Sequence, residues 1–213
     1  MVAITGIGIV SPHGDDPDRM FDALLRGESA VRAVFPELAR PAAAARVDFD
    51  ESRWFTKLQL PGVDRVSQLA VAAADLAVRD AGGLDATPHR IGVYAGCGMG
   101  GAAALEAAYT AGARGGRVPP LTVPAFMPNA PAAHVAMRHG VHGPVLTYSV
   151  ACASSAVALA EGARAVRRGD VDVAIAGGAE ALIMPGVVSA WQALQTLASF
   201  EPGQAASACK PFA

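Results

Sequence analysis

The chain has 213 residues, 17 Lys plus Arg against 19 Asp plus Glu, and a formal net charge of −2. That balance excludes nucleic-acid binding through a broad basic field, because little counterion release would drive it. With 52% hydrophobic and 17% charged residues the chain can bury a core, and at 6% aromatics it must fill that core with Ala, Val, Leu and Ile.

Residues 2–10 are β-branched, glycine-punctuated and without alternation, which predicts a strand buried on both faces. Asp16 then caps a short helix with Pro17 at its first position, Met20, Phe21, Leu24 and Leu25 on its apolar side, and Gly27 as its stop. Residues 28–62, with Pro36, Pro41 and the alanine run 42–45, read as a long surface excursion with little regular structure. Val66, Leu69, Ala70, Ala73, Leu76 and Ala77 keep helical spacing and predict the clearest helix, over 64–82.

A strand at 91–96 runs into the glycine loop Gly96-Cys97-Gly98-Met99-Gly100-Gly101, and an Ala-rich helix follows at 102–111. A stretch containing Pro119, Pro120, Pro124, Pro128 and Pro131 leads to a helix at 132–138, and 145–150 is a further strand. Residues 154–168 are helical, with Gly169 as the stop. The first two turns of that helix are small and apolar all round, so this end is expected to be buried. A strand at 171–176 and a helix at 189–197 complete an alternation that predicts an α/β layered fold. No repeat or low-complexity linker divides the sequence, and 1–213 is expected to be one domain.

Three cysteines, Cys97, Cys152 and Cys209, are too few and too scattered for a disulfide framework or a C-x-x-C metal site. No signal-peptide pattern opens the chain, and no window reaches the roughly 18 apolar residues of a membrane helix. The expected setting is a reducing cytoplasm, with neither metal nor cofactor. The glycine loop has the spacing of a dinucleotide-binding turn, but no clear acidic residue ends a second strand some 20 residues on.

The most informative segment is Tyr148-Ser149-Val150-Ala151-Cys152-Ala153-Ser154-Ser155-Ala156, where a strand hands over to a buried helix with a thiol at the junction. A helix N-terminus offers unpaired N–H groups and partial positive charge, both of which favour thiolate over thiol. Small neighbours leave the sulfur sterically open, and backbone N–H groups at such a turn can stabilise an oxyanion. From position alone Cys152 is either a covalent nucleophile or a buried structural cysteine. Cys97 and Cys209 lack that context and read as packing residues.

The stretch 145–180, with Ala151-Cys152-Ala153-Ser154-Ser155 and Gly169-Asp170-Val171-Asp172 leading to Gly177-Gly178-Ala179-Glu180, resembles the nucleophile region of β-ketoacyl-acyl-carrier-protein synthases. The likeness extends, in order, to Ile4–Gly14, to Asp64–Ala70, to Ile91-Gly92-Val93 with Gly96–Gly101, and to Cys209-Lys210-Pro211-Phe212. It implies a thiolase-like fold, of which this chain carries one half of the five-layer α-β-α-β-α stack. It implies further that Cys152 takes an acyl group from an acyl carrier protein, with its own N–H as half of an oxyanion hole. A malonyl extender would then lose CO₂ and attack the thioester. Met99, Phe126, Met127 and Trp191 fall near family positions that line the acyl tunnel, while each alone also reads as core packing.

The family's two histidines, its lysine and its second oxyanion donor come from a C-terminal half, and His13, His89, His134, His139 and His142 match none of them. Four of these are expected on loops or solvent-facing helix ends, with His134 internal. The expectation is therefore a partner chain carrying the C-terminal half, two such pairs forming a heterotetramer like the family dimer. The nucleophile helix would otherwise leave an apolar face uncovered. The pathway is fatty-acid or polyketide assembly. The competing reading is a non-catalytic scaffold subunit with a vestigial cysteine. Arg164, Arg167 and Arg168 near a helix end suit the helix dipole or, alternatively, an acidic carrier protein.

Overall fold

A computed structural model describes residues 1–210. In chain order its elements are α1 (Pro17–Leu25), β1 (Arg32–Val34), β2 (Ala42–Ala44), α2 (Arg65–Asp80), β3 (Ile91–Gly96), α3 (Ala102–Ala113), α4 (Thr122–Phe126), α5 (Ala130–His139), β4 (Val145–Tyr148), α6 (Ser154–Arg168), β5 (Val173–Gly178) and α7 (Pro185–Ala193). They group into two compact units. The first joins Met1–Ile9 to Asp50–Ala181, and the second joins Val10–Phe49 to the described residues from Leu182 on. Each unit is built from separated stretches of chain, which is why no linker composition marks the division.

In the first unit three parallel strands lie in the order β4-β3-β5, with Val93 opposite both Val145 and Ile175, and Gly96 opposite both Tyr148 and Gly178. The chain leaves β3 for β4 through α5, then crosses back to β5 through α6. Right-handed crossovers in opposite directions put α5 and α6 on opposite faces of the sheet. Central β3 is accordingly the most buried strand, with Val93 2% and Tyr94 4% exposed. Against α6 the core is Tyr94, Ala165 and Val171, flanked by Tyr148, Ala174 and Ala176. Behind α5 packs α2, and Asp64 caps it: Oδ1 accepts from Val66 N at 3.0 Å while Oδ2 accepts from Ala104 N at 2.7 Å. One buried carboxylate thus satisfies orphan donors of both α2 and α3.

The second unit packs α7 on the antiparallel pair β1-β2 around Val34, Ala42 and Val188. Gln192 ties α7 down by donating to Arg40 O at 2.7 Å.

Several expectations are corrected. Residues 2–10 form no strand, and Ile4 and Ile7 are exposed. Within this segment Gly6 and Gly8 lie so close on α2 that a Cβ at either would collide with the carbonyl of Ala77 or Ala73. Ile7 N donates to Asp80 at 2.8 Å. A helix backbone, not a neighbouring strand, is what these glycines serve. Residues 28–62 are less irregular than their prolines suggest, because the alanine run supplies β2, and the proline stretch holds the one-turn helix α4.

β5 starts two residues late, since Val171 turns into the α6 core and Asp172 is held by Arg90 at 2.6 Å. Pro185 opens α7 four residues early, as its fixed φ permits, and the backbone leaves the helix at Gln195 with φ 56°. His139 stands at a helix end, yet its side chain is only 11% exposed, beside Asp75 at 3.2 Å. His134 is half-buried, less enclosed than expected, and burial pushes its imidazole down from the usual range.

Candidate active site

Gly96 and Gly178 are register partners at the carboxyl ends of β3 and β5. A Cβ on Gly178 would stand 2.5 Å from Ser155 Cβ, and one on Gly96 would stand 2.5 Å from Ser154 O. Two absent side chains therefore let α6 begin flush on the strand ends. Its inner stripe, Ser154, Ala158, Gly162 and Ala165, is small throughout, which keeps helix and sheet close along its length. Carboxyl ends of parallel strands are where α/β sheets place ligands, and Cys152 stands at that end.

The link from β4 to α6 is a sharp turn. Ala151 has φ 48°, the left-handed region that a residue with a Cβ seldom adopts. Ala153 N donates to Val150 O at 3.1 Å and Ser154 N to Ala151 O at 3.2 Å. The Ser154 hydroxyl donates to Ala151 O at 2.7 Å and accepts from Val150 N at 2.8 Å. The turn lifts Cys152 out as an exposed free thiol. The expectation of a buried α6 start holds only for its inner stripe: Ser155, Ala156, Leu159 and Ala160 are exposed in this chain.

Beside this turn lies the glycine loop. Cys97 N donates to Tyr148 O at 3.1 Å, and the Ser149 hydroxyl donates to Gly98 O at 3.3 Å. Glu180 accepts from Gly98 N at 2.8 Å, so one loop peptide is gripped by its N–H and the next by its C=O. Gly101 N reaches Phe126 O at 3.2 Å, and a Cβ on Gly100 or Gly101 would strike α4 and the residues after it. The loop's glycines thus serve close packing. They also join the segment carrying half-exposed Met99 to the one carrying Phe126 and Met127. Phe126 lines an apolar groove with Leu105, Tyr109 and Val118. Trp191 belongs to the second unit, on α7.

Cys97 is 1% exposed, and burial first, then the charge of Glu180, pushes its thiol up to about 11. That thiol stays protonated and inert near neutral pH. Of the motifs singled out in the sequence, Cys209-Lys210-Pro211-Phe212 has its last two residues outside the described ones. The roles of Ser149, Ser154 and Glu180 were not foreseen, although all three lie inside the segment quoted for the resemblance. A serine three residues after the turn position is the available local signal for Ser154.

The structure thus presents an exposed thiol on a strained strand-to-helix turn at the carboxyl end of a parallel sheet. The chain belongs to the β-ketoacyl synthases: the model of the beta-ketoacyl synthase N-terminal domain matches residues 1–213.

Among curated relatives, a putative polyketide beta-ketoacyl synthase 1 of Streptomyces halstedii is 35% identical over 209 residues, covering 91% of this chain and 49% of that protein. The 3-oxoacyl-[acyl-carrier-protein] synthase 2 of Staphylococcus aureus (strain N315) is 32% identical over 221 residues, covering 99% and 52%. The chain spans about half the length of the curated relatives it matches.

Among solved structures, a beta-ketoacyl synthase from Burkholderia phymatum STM815 superposes with TM-score 0.83 at 28% identity, over 98% of this chain and 53% of that one. The fold is shared with a ketosynthase in complex with its chain length factor from Xenorhabdus doucetiae (TM-score 0.81, 20% identity, 92% and 51% covered). It is shared also with a type II PKS acyl-carrier protein complex with its ketosynthase (TM-score 0.73, 22% identity, 91% and 54% covered). The α/β, thiolase-like class expected from the sequence is therefore the fold found. Among the described residues no helix is long and apolar enough to cross a membrane.

Proposed function

We propose that these 213 residues are the acyl-accepting half of a β-ketoacyl synthase and that Cys152 is its nucleophile. The observation that carries this reading is the turn: Ala151, a residue with a Cβ, is held at positive φ, and the next side chain, that of Cys152, is an open thiol. The Cys152 sulfur attacks the carbonyl of an acyl thioester, the carrier thiol leaves, and a new thioester forms on the protein. Ala153 N and Ser154 N are already engaged inside the turn, whereas the Cys152 N–H, next to the sulfur, is the donor we assign to the developing oxyanion. Malonyl decarboxylation then yields CO₂ and a carbanion, which forms the new C–C bond and releases the cysteine.

Generating that carbanion needs positioned donors, and these come from a complementary ketosynthase half lying against the exposed outer face of α6. Met99, Phe126 and Met127 shape the acyl chain's path on one side. The partner of the acylation step is an acyl carrier protein, by analogy with the ketosynthase complex named above, and the complementary half follows the ketosynthase pairing in the other.

The test is an acyl-thioester probe followed by intact mass, with Cys152→Ala as control. One acyl adduct on Cys152, absent from the variant, is the expected result. Malonyl-dependent CO₂ release is expected only after a complementary half is supplied. An adduct that persists in Cys152→Ala, or no adduct in the assembled complex, overturns the assignment, and the second outcome favours a scaffold.

A further inference from the structure

We propose that Ser154 is a positioning residue that aims the Cys152 N–H at the reacting carbonyl; the inference rests on the reading of Cys152 as nucleophile. Ala151 has no polar side chain to stabilise its left-handed φ of 48°, as Asn or Asp would, so the hold on this turn must come from elsewhere. Ser154 supplies it. The residue is 5% exposed, and although it is the first of α6, its hydroxyl points back into the turn. There it accepts from Val150 N at 2.8 Å and donates to Ala151 O at 2.7 Å, bracketing the two residues that make the bend.

The second bond has a consequence for chemistry. Ala151 O and the Cys152 N–H belong to one peptide plane, and in a trans peptide they point in opposite directions. A hydroxyl that draws Ala151 O inward turns the Cys152 N–H outward, toward the side on which the thiol is exposed. Without the hydroxyl Val150 N loses its acceptor and Ala151 O keeps only the longer bond from Ser154 N at 3.2 Å, so Ala151 can relax from the costly φ and the peptide plane is held less tightly. The sulfur would remain, but its oxyanion donor would be less firmly aimed.

The experiment compares two reactions of the same thiol in the full chain. Acyl transfer builds an oxyanion, whereas alkylation by iodoacetamide does not. Ser154→Ala is expected to slow acyl transfer to Cys152 by roughly ten- to a hundredfold, with a much smaller change in alkylation of Cys152 and none at Cys209. Ser154→Thr, which keeps the hydroxyl, restores acyl transfer. Ala151→Gly in the Ser154→Ala background recovers part of the loss, because glycine adopts the φ without cost; this pair also carries the comparison should Ser154→Ala alone not fold. Acylation of Ser154→Ala at the wild-type rate overturns the inference while leaving the nucleophile in place. So does an equal fall in both reactions that Ala151→Gly does not relieve. Wild type that takes no acyl group overturns the nucleophile reading first.

Discussion

Gly96→Ala adds one methyl group where β3 passes under the start of α6. The new Cβ would stand 2.5 Å from Ser154 O and nearer still to Ser154 C and Ser155 N, all backbone atoms that no rotamer change can move. Ordinary contact begins at 3.4 Å, so the helix start must retreat by about 1 Å in a close-packed interior. Overpacking of this kind costs about 1–3 kcal/mol, which in a chain of this length lowers Tm by roughly 2–12 °C.

The same retreat carries the Cys152 turn with it. A misplacement of about 1 Å can cost on the order of a hundredfold in rate, so acyl transfer should fall roughly ten- to a hundredfold. Gly177→Ala is the control: it is a neighbour of Gly178 in β5, and a Cβ there meets nothing within 4 Å. Thermal melts followed by circular dichroism and time-resolved intact mass read the two effects. If Gly96→Ala melts and acylates like wild type, or if Gly177→Ala does equal damage, the close seating of α6 is not what positions the thiol.

Cys97 should resist iodoacetamide at neutral pH while Cys152 and Cys209 react, which peptide mapping will show. A thiol held above its ordinary value of 9.0 adds stability that is full below that pH and is lost as pH rises through about 11. Urea midpoints should therefore drop across that window in wild type more than in Cys97→Ala. Glu180→Gln should bring the Cys97 thiol part of the way down, since burial is the larger cause, and thiolate absorbance in a pH titration measures it.

Burial pushes the Asp64 carboxyl up from 3.8 against the pull of two N–H donors. The folded state thus keeps this proton longer than the unfolded state, and wild-type stability falls as pH rises through that window. Asp64→Asn should gain on wild type as pH rises above the ordinary carboxyl value of 3.8 in denaturant titrations; a constant difference would refute this. Leu159→Glu, on the exposed face of α6, should change the chain's own stability by no more than about 0.5 kcal/mol. It should block reconstitution of condensation with a complementary half.

Short-range physics was legible in the sequence. Asp16 before Pro17 specifies the start of α1, the Gly169 stop bounds α6, and the 91–96 run ends in glycine as β3 does. Capping and periodicity depend on neighbours within a few residues, and so did the placement of Cys152 between a strand and a helix. What the tertiary structure decided involves partners far apart in the chain. Gly6 and Gly8 look like strand punctuation until α2 lies against them. Ala42–Ala44 becomes a strand only through pairing with Arg32–Val34. The Glu180 carboxylate finds Gly98 N across 82 positions, which no local pattern encodes. Even the Ser154 hydroxyl, three residues from its acceptor, acquires its direction from the sheet: Gly96 and Gly178 fix where the helix begins, and only then does the hydroxyl fall back onto the bend.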